Sequence, residues 1–195
     1  MPPQSSYPPL VKPNLIIIGL GNPGDAYAST RHNAGFRALD ILSTAFGEGK
    51  WLQKDKFLSD IQEARIVTVP VLLAKPRTFM NSSGEAVKKI VDFYKVNPQT
   101  HVLILCDDID LPLGSVRLRN EGGPGTHNGL RSVALLYGEH YPRLRIGIGP
   151  KPPQGDLAAW VLSVPSEDDR KKLDDVLATL PDVIRKYVLG ETIAP

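Results

Sequence analysis

Apolar positions along this chain fall into two rhythms, short continuous runs and stripes at helical spacing. Residues 14–20 (NLIIIGL) form a branched, unbroken apolar run closed by glycine, which predicts a strand buried on both faces. Residues 101–106 (HVLILC) and 144–148 repeat that pattern. Shorter runs near 57–61, 64–68 and 71–74 predict lesser strands, and 116–119 alternates like a half-exposed one. Helical spacing appears over 35–46, with Gly47 placed to cap it, and over 128–137. Ser82 and Glu85 have the spacing of a capping box opening a helix to about Val96. Ser166 and Asp169 open a helical tail over 166–189 in the same way, and Pro181 should kink or split it.

Strands alternating with helices predict an α/β fold, a single domain whose twisted mixed sheet is flanked by helices on both faces. In such sheets the working groups gather beyond the carboxyl ends of the strands. The loops after Leu20, Ala74 and Cys106 then share one edge, and they carry Asn22, Asn81 and Asp107.

Length and composition narrow the class further. The 195 residues, 42% hydrophobic and 23% charged, suit one globular domain with a real core. No apolar run approaches the roughly 18 residues that span a bilayer. The single Cys106 excludes an internal disulfide and sits in an apolar run, where packing is its expected role. Residues 1–13 (MPPQSSYPPLVKP) read as a flexible arm ahead of a domain over 14–195. The arm resembles neither a secretory signal nor an amphipathic transit peptide, so a cytoplasmic protein is expected, with a short mitochondrial address as the alternative.

Gly19–Gly24 (GLGNPG) matches the dinucleotide fingerprint, yet its surroundings do not. A polar stretch, DAYASTRHN, separates the glycines from the next helix, and the acid about 20 residues on, Asp40, falls inside that helix. The glycines instead allow a sharp turn that brings Asn22 to a ligand.

His32 lies at or just before a helix start, where the helix dipole favours a neutral ring able to accept a proton. Asp107 is the natural carboxylate to orient it, although Asp107, Asp108 and Asp110 read equally well as an acidic turn or cap. The chain has no nucleophile elbow and no Cys/His or carboxylate spacing for a metal, so water is the attacking group. Asn22, Asn81 and Asn128 each occupy a turn-like loop. One alone would read as an Asx turn, whereas three together can position water or a peptide and stabilise an oxyanion. Arg117 and Arg119 alternate on one strand, with Arg131, Arg143, Arg145 and Lys151 on nearby segments. They are either a solvated face or a local phosphate-binding patch, since the net charge is only +2.

Five ordered strings make a more specific match: GLGNPG(x)2Y(x)2TRHN(x)GF from Gly19, KP(x)TFMN(x)SG from Lys75, DD(x)DLP(x)G from Asp107, HNGL(x)S from His127 and RLRIGIG from Arg143. Together they resemble the bacterial-type peptidyl-tRNA hydrolase family. The resemblance implies a monomeric α/β/α protein that cleaves the ester between a peptide's C-terminus and the 3′-terminal ribose of tRNA, without metal or cofactor. It implies His32 as base, Asp107 as its orienting carboxylate, and Asn22, Asn81 and Asn128 as substrate- and water-positioning groups. It further implies Tyr27, Phe79 and Met80 at the peptide cleft; without it, Phe79 and Met80 would read as core. Arg117, Arg119, Arg145 and Lys151 are implied to face the acceptor stem near the CCA end, blind to its sequence. The chain departs from the usual pattern at Cys106, at Pro124 and Thr126, and at the Lys151-Pro152-Pro153 stretch. The rival reading is an RNA-binding or splicing factor that keeps the fold without turnover.

Overall fold

The computed structural model describes residues 12–150 and 154–193. Most of the expected N-terminal arm, and Lys151 with its two following prolines, lie outside the described residues.

The chain runs β1 (Leu15–Gly19), α1 (Ala34–Phe46), β2 (Gly47–Lys54), β3 (Ser59–Ile66), β4 (Val69–Pro76), α2 (Ser83–Tyr94), α3 (Pro98–His101), β5 (Val102–Pro112), β6 (Val116–Arg119), α4 (Asn128–Tyr137), β7 (Arg143–Gly149), α5 (Leu157–Val161), α6 (Glu167–Ala178) and α7 (Leu180–Leu189). The strands form one mixed seven-stranded sheet in the order β2-β3-β4-β1-β5-β7-β6. β4, β1, β5 and β7 run parallel, while β2, β3 and β6 pair antiparallel at the margins.

The period-two geometry of a strand sorts the core into two layers. Leu15 and Ile17 of β1 pack with residues of α1, α6 and α7, and Ile16 and Ile18 pack with residues of α2 and α4. Each of the three isoleucines is fully buried, worth on the order of 1.5–3 kcal/mol per side chain. A sheet covered on both faces by helices is the arrangement expected from the pattern.

Several local expectations are corrected. The runs at 57–61 and 64–68 belong largely to one strand, β3, with Phe57 left in a short 3-10 turn ahead of it. β2 (GEGKWLQK) carries no apolar rhythm and was not anticipated; antiparallel pairing with β3 makes it a strand. Gly47 is extended rather than left-handed (φ −66°, ψ 138°), so the chain passes straight from α1 into β2. Ser82 makes no side-chain cap; a 3-10 turn over Met80–Ser82 leads into α2 instead, with Ser83 Oγ donating to the Met80 carbonyl at 2.8 Å. Ser166 does cap α6, accepting from Asp169 N–H at 3.2 Å, and Pro181 sits in the first turn of α7, where it divides the tail.

Two close approaches fix the frame of the site. A Cβ on Gly19 would lie 2.3 Å from the Gly35 carbonyl oxygen, so α1 rests directly on the end of β1. A Cβ on Gly84 would lie 2.3 Å from the Ser132 carbonyl oxygen, which seats α2 equally tightly on α4. The glycine motif thus serves helix packing as well as a turn.

Candidate active site

Parallel β1, β4 and β5 deliver their carboxyl ends to one edge of the sheet, where a cleft of about 520 Å³ opens. His32, Asn22, Asn81, Asp107 and Asn128 all line it, as do Phe79, Met80 and Arg145. Tyr27 is not among its lining residues; it packs edge-on against Phe79, with ring centroids 6.1 Å apart. Phe79 is more than half exposed, whereas Met80 is buried.

His32 sits in a 3-10 turn (Arg31–Asn33) that opens directly into α1. Its Nδ1 lies 2.9 Å from Asp107 Oδ1 and 3.0 Å from Oδ2, and both residues are buried. Asp107 belongs to the interior of β5 rather than to a loop after it, because the strand continues to Pro112 across an irregularity. Its backbone pairs with Ile146 of β7, which leaves the carboxylate on a rigid support. Burial alone would push the Asp107 carboxyl up. The charges of His127 and His32, with their hydrogen bonds, overcome that and hold it well below the usual carboxylate range.

A second ring also reaches this carboxylate. His127 Nε2 lies 3.0 Å from Asp107 Oδ1, and its ring centroid is 4.9 Å from that of His32. Sequence reasoning assigned His127 no role: its partner is 20 residues away, and its only signal was its place in the HNGL string. His32, Asp107 and His127 bring ligand-type atoms within 4.8 Å of one another, a cluster invisible as spacing along the chain. Each ring's contact with the carboxylate has the length of an ordinary hydrogen bond.

The asparagines differ in how they are held. Asn22 N–H donates to Asn33 Oδ1 at 2.9 Å, and Asn33 Nδ2 returns a bond to the Asn22 carbonyl at 2.9 Å. Met80 N–H donates to Asn22 Oδ1 at 2.8 Å. With its side-chain oxygen occupied, Asn22 faces the cleft as an N–H donor. Asn33 was missed by sequence reasoning for the same reason as His127: its partner is distant along the chain, 11 residues away at Asn22. Asn81 and Asn128 are exposed, Asn81 in the 3-10 turn before α2 and Asn128 at the first position of α4.

The basic residues separate into two kinds. Arg145 borders the cleft and forms an ion pair with the buried Asp108, and Arg117 is its cross-strand neighbour on β6. Arg119 is exposed farther along the same strand. Arg143 is 2% exposed and donates to the carbonyls of Tyr141, Gly123 and Glu139, so it is structural rather than part of a phosphate patch. Burial pushes the Asp108 carboxyl up, against the pull of the Asp110 backbone bond and Arg145.

Arg31 ties the turn holding His32 to the C-terminal part of the chain. Its backbone N–H donates to the Ser163 carbonyl at 3.1 Å, and its guanidinium bonds Ser163 Oγ at 3.0 Å and Asp169 Oδ2 at 2.7 Å. It also lies 3.9 Å from the centroid of the Trp160 ring. Leu157, Val161 and Leu162, in and beside α5, form an apolar wall of the cleft on this side.

The family model for peptidyl-tRNA hydrolase matches residues 16–194. The chain is 42% identical over 170 residues to peptidyl-tRNA hydrolase of Chloroflexus aurantiacus, covering 87% of this chain and 89% of the relative. It is 45% identical over 184 residues to the chloroplastic peptidyl-tRNA hydrolase of Arabidopsis thaliana, covering 93% of this chain and 62% of that protein. The crystal structure of peptidyl-tRNA hydrolase from Acinetobacter baumannii superposes with a TM-score of 0.85 at 35% identity, covering 90% and 89% of the two chains.

Proposed function

The chain belongs to the peptidyl-tRNA hydrolase family, and from that premise we propose that His32 is the general base that drives water onto the ester of peptidyl-tRNA. The contact of His32 Nδ1 with both oxygens of Asp107 carries this reading. An ionised carboxylate accepts the proton of Nδ1–H and leaves Nε2 as the nitrogen with a free lone pair.

In the proposed step Nε2 takes a proton from water, and the hydroxide oxygen bonds to the ester carbonyl carbon. Asn22, its side-chain oxygen occupied by Met80 N–H, offers hydrogen bonds from its side-chain amide nitrogen to the developing oxyanion or to the adjacent peptide group. Collapse breaks the bond to the 3′-terminal ribose oxygen, which receives the proton from His32. A peptide acid and free tRNA leave for recycling. Asp107 stays ionised throughout and stabilises the imidazolium between the two transfers. The protein is proposed to act as a monomer, and the step as written uses no metal or cofactor.

Asn81 and Asn128, with Phe79 and Met80, are proposed to hold the peptide end, and Tyr27 to support Phe79. Arg117, Arg119 and Arg145 are proposed to take acceptor-stem phosphates leading to the CCA end, with Lys151 as a further candidate. Among the described residues no helix is long and apolar enough to cross a membrane. We place the protein in the cytoplasm or, by analogy with plant relatives named chloroplastic and mitochondrial, in an organelle.

The deciding experiment incubates the protein with N-blocked aminoacyl-tRNA and with free aminoacyl-tRNA. Release from the blocked form only is the expected result. Binding without release would replace this reading with that of a non-enzymatic RNA-binding factor.

A further inference from the structure

Asp107 is shared by two rings, and the reaction written above uses only one of them. His127 stands at the N-cap of α4, where Leu130 N–H lies 3.2 Å from its Nδ1. A backbone N–H can only donate, so Nδ1 must present a bare lone pair. A neutral imidazole with a bare Nδ1 carries its proton on Nε2. That nitrogen is the one 3.0 Å from Asp107 Oδ1. The two contacts therefore agree on a single tautomer, and in it His127 donates to the carboxylate.

The ring is wedged as well as bonded. Its side chain is 10% exposed, and a Cβ added to Gly129 would come within 3.1 Å of its Cε1. The loop leading to it is fastened from three directions: Arg143 bonds the Gly123 carbonyl, Arg131 the Gly125 carbonyl, and His127 N–H the Pro124 carbonyl.

We propose that His127 is a positioning residue for hydrolysis, fixing the Asp107 carboxylate toward His32 with one ring nitrogen and the start of α4, with Asn128, with the other. The proposal rests on the reading of His32 as base. A carboxylate held only by His32 could turn about its Cβ–Cγ bond and carry the imidazole with it. A second donor on Oδ1 removes that freedom before substrate arrives. Because the same ring caps α4, the asparagine at the helix start and the carboxylate under the base are kept in one register.

The test separates the two halves of the ring. His127→Asn keeps a good N-cap acceptor for Leu130 N–H but is too short to serve Asp107; His127→Ala loses both contacts. In the wild-type protein at pH 8, ring-nitrogen NMR should find the His127 proton on Nε2 and Nδ1 bare. His127→Asn should melt close to wild type and lose roughly tenfold in kcat on N-blocked aminoacyl-tRNA, the scale of one hydrogen bond to a charged group, with little change in KM. His127→Ala should lose kcat similarly and melt lower. A proton on Nδ1, or wild-type kcat in His127→Asn, would overturn the proposal. A His127→Asn protein that melts as low as His127→Ala would overturn its capping half. Should the wild-type protein release nothing from the blocked substrate, the hydrolase reading falls, while the NMR result still decides whether His127 donates to Asp107.

Discussion

His32 Nδ1 sits almost symmetrically before the two oxygens of Asp107, 2.9 Å from one and 3.0 Å from the other. Such a contact fixes the plane of the ring and decides which nitrogen bears the proton. Replacing His32 by Ala should lower turnover by roughly 10²-fold or more, the scale of a general base. The melting temperature should also fall, since the buried Asp107 carboxylate loses one of its two ring donors. Near-normal turnover in His32→Ala would remove it from the reaction.

Asp107 also links stability to pH. Its folded carboxyl titrates below the ordinary value of 3.8, so between those two values the unfolded chain binds more protons than the folded one. Stability from this group is therefore fully present above about pH 4 and is lost as pH falls through the depressed folded value. Asp108 has the opposite sign, because its folded carboxyl is raised. Denaturant titrations from pH 6 down to pH 3 should show the stability gap between wild type and Asp107→Asn narrowing below pH 4. A gap of constant size over that range would contradict the assignment.

Arg145 and Asp108 form a pair whose partner carboxylate is buried. Arg145→Ala should weaken tRNA binding and reduce the slope of log K against log salt by about one, the signature of a lost phosphate contact. It should also destabilise the fold by leaving Asp108 without its cation. Adding Asp108→Asn should recover the stability and leave the binding defect. An unchanged salt slope in Arg145→Ala would exclude a phosphate role.

Cys106 is fully buried in β5, and burial pushes its thiol up, away from the reactive thiolate. A colourimetric thiol reagent should find no reactive group in the native protein and one after denaturation. Rapid labelling of the folded chain would mean that β5 opens far more readily than its packing implies.

The parts of this molecule that were readable in advance are those whose partners are implied by a face. β1, β5 and β7 declare themselves through continuous apolar runs because both sheet faces are covered, and α1 does so through its stripe. β2 could not be read, since its GEGKWLQK sequence becomes a strand only by pairing with β3. The acidic end of β5 looks like a turn because Asp107 and Asp108 are carried inside the strand by pairing with β7. Within the site, His32 and Asp107 were legible from residue type and place. Asn33 and His127 were not, because each is defined by a bond to a residue many positions away in the chain, Asn22 and Asp107 respectively. Arg143 was misjudged for a related reason: a buried guanidinium served by carbonyls looks, in sequence, the same as one waiting for phosphate.

Arg31 imposes an order in time. A chain is made from its N-terminus, so β1, His32 and Asp107 are all synthesised before Ser163 and Asp169 exist. Until those two residues have been added, the guanidinium beside His32 lacks its partners and the cleft lacks the wall that follows β7. A growing copy of this protein is itself a peptide esterified to tRNA. It therefore completes its own cleft only once Asp169 has been added, and until then each nascent chain is a substrate in form without being an enzyme.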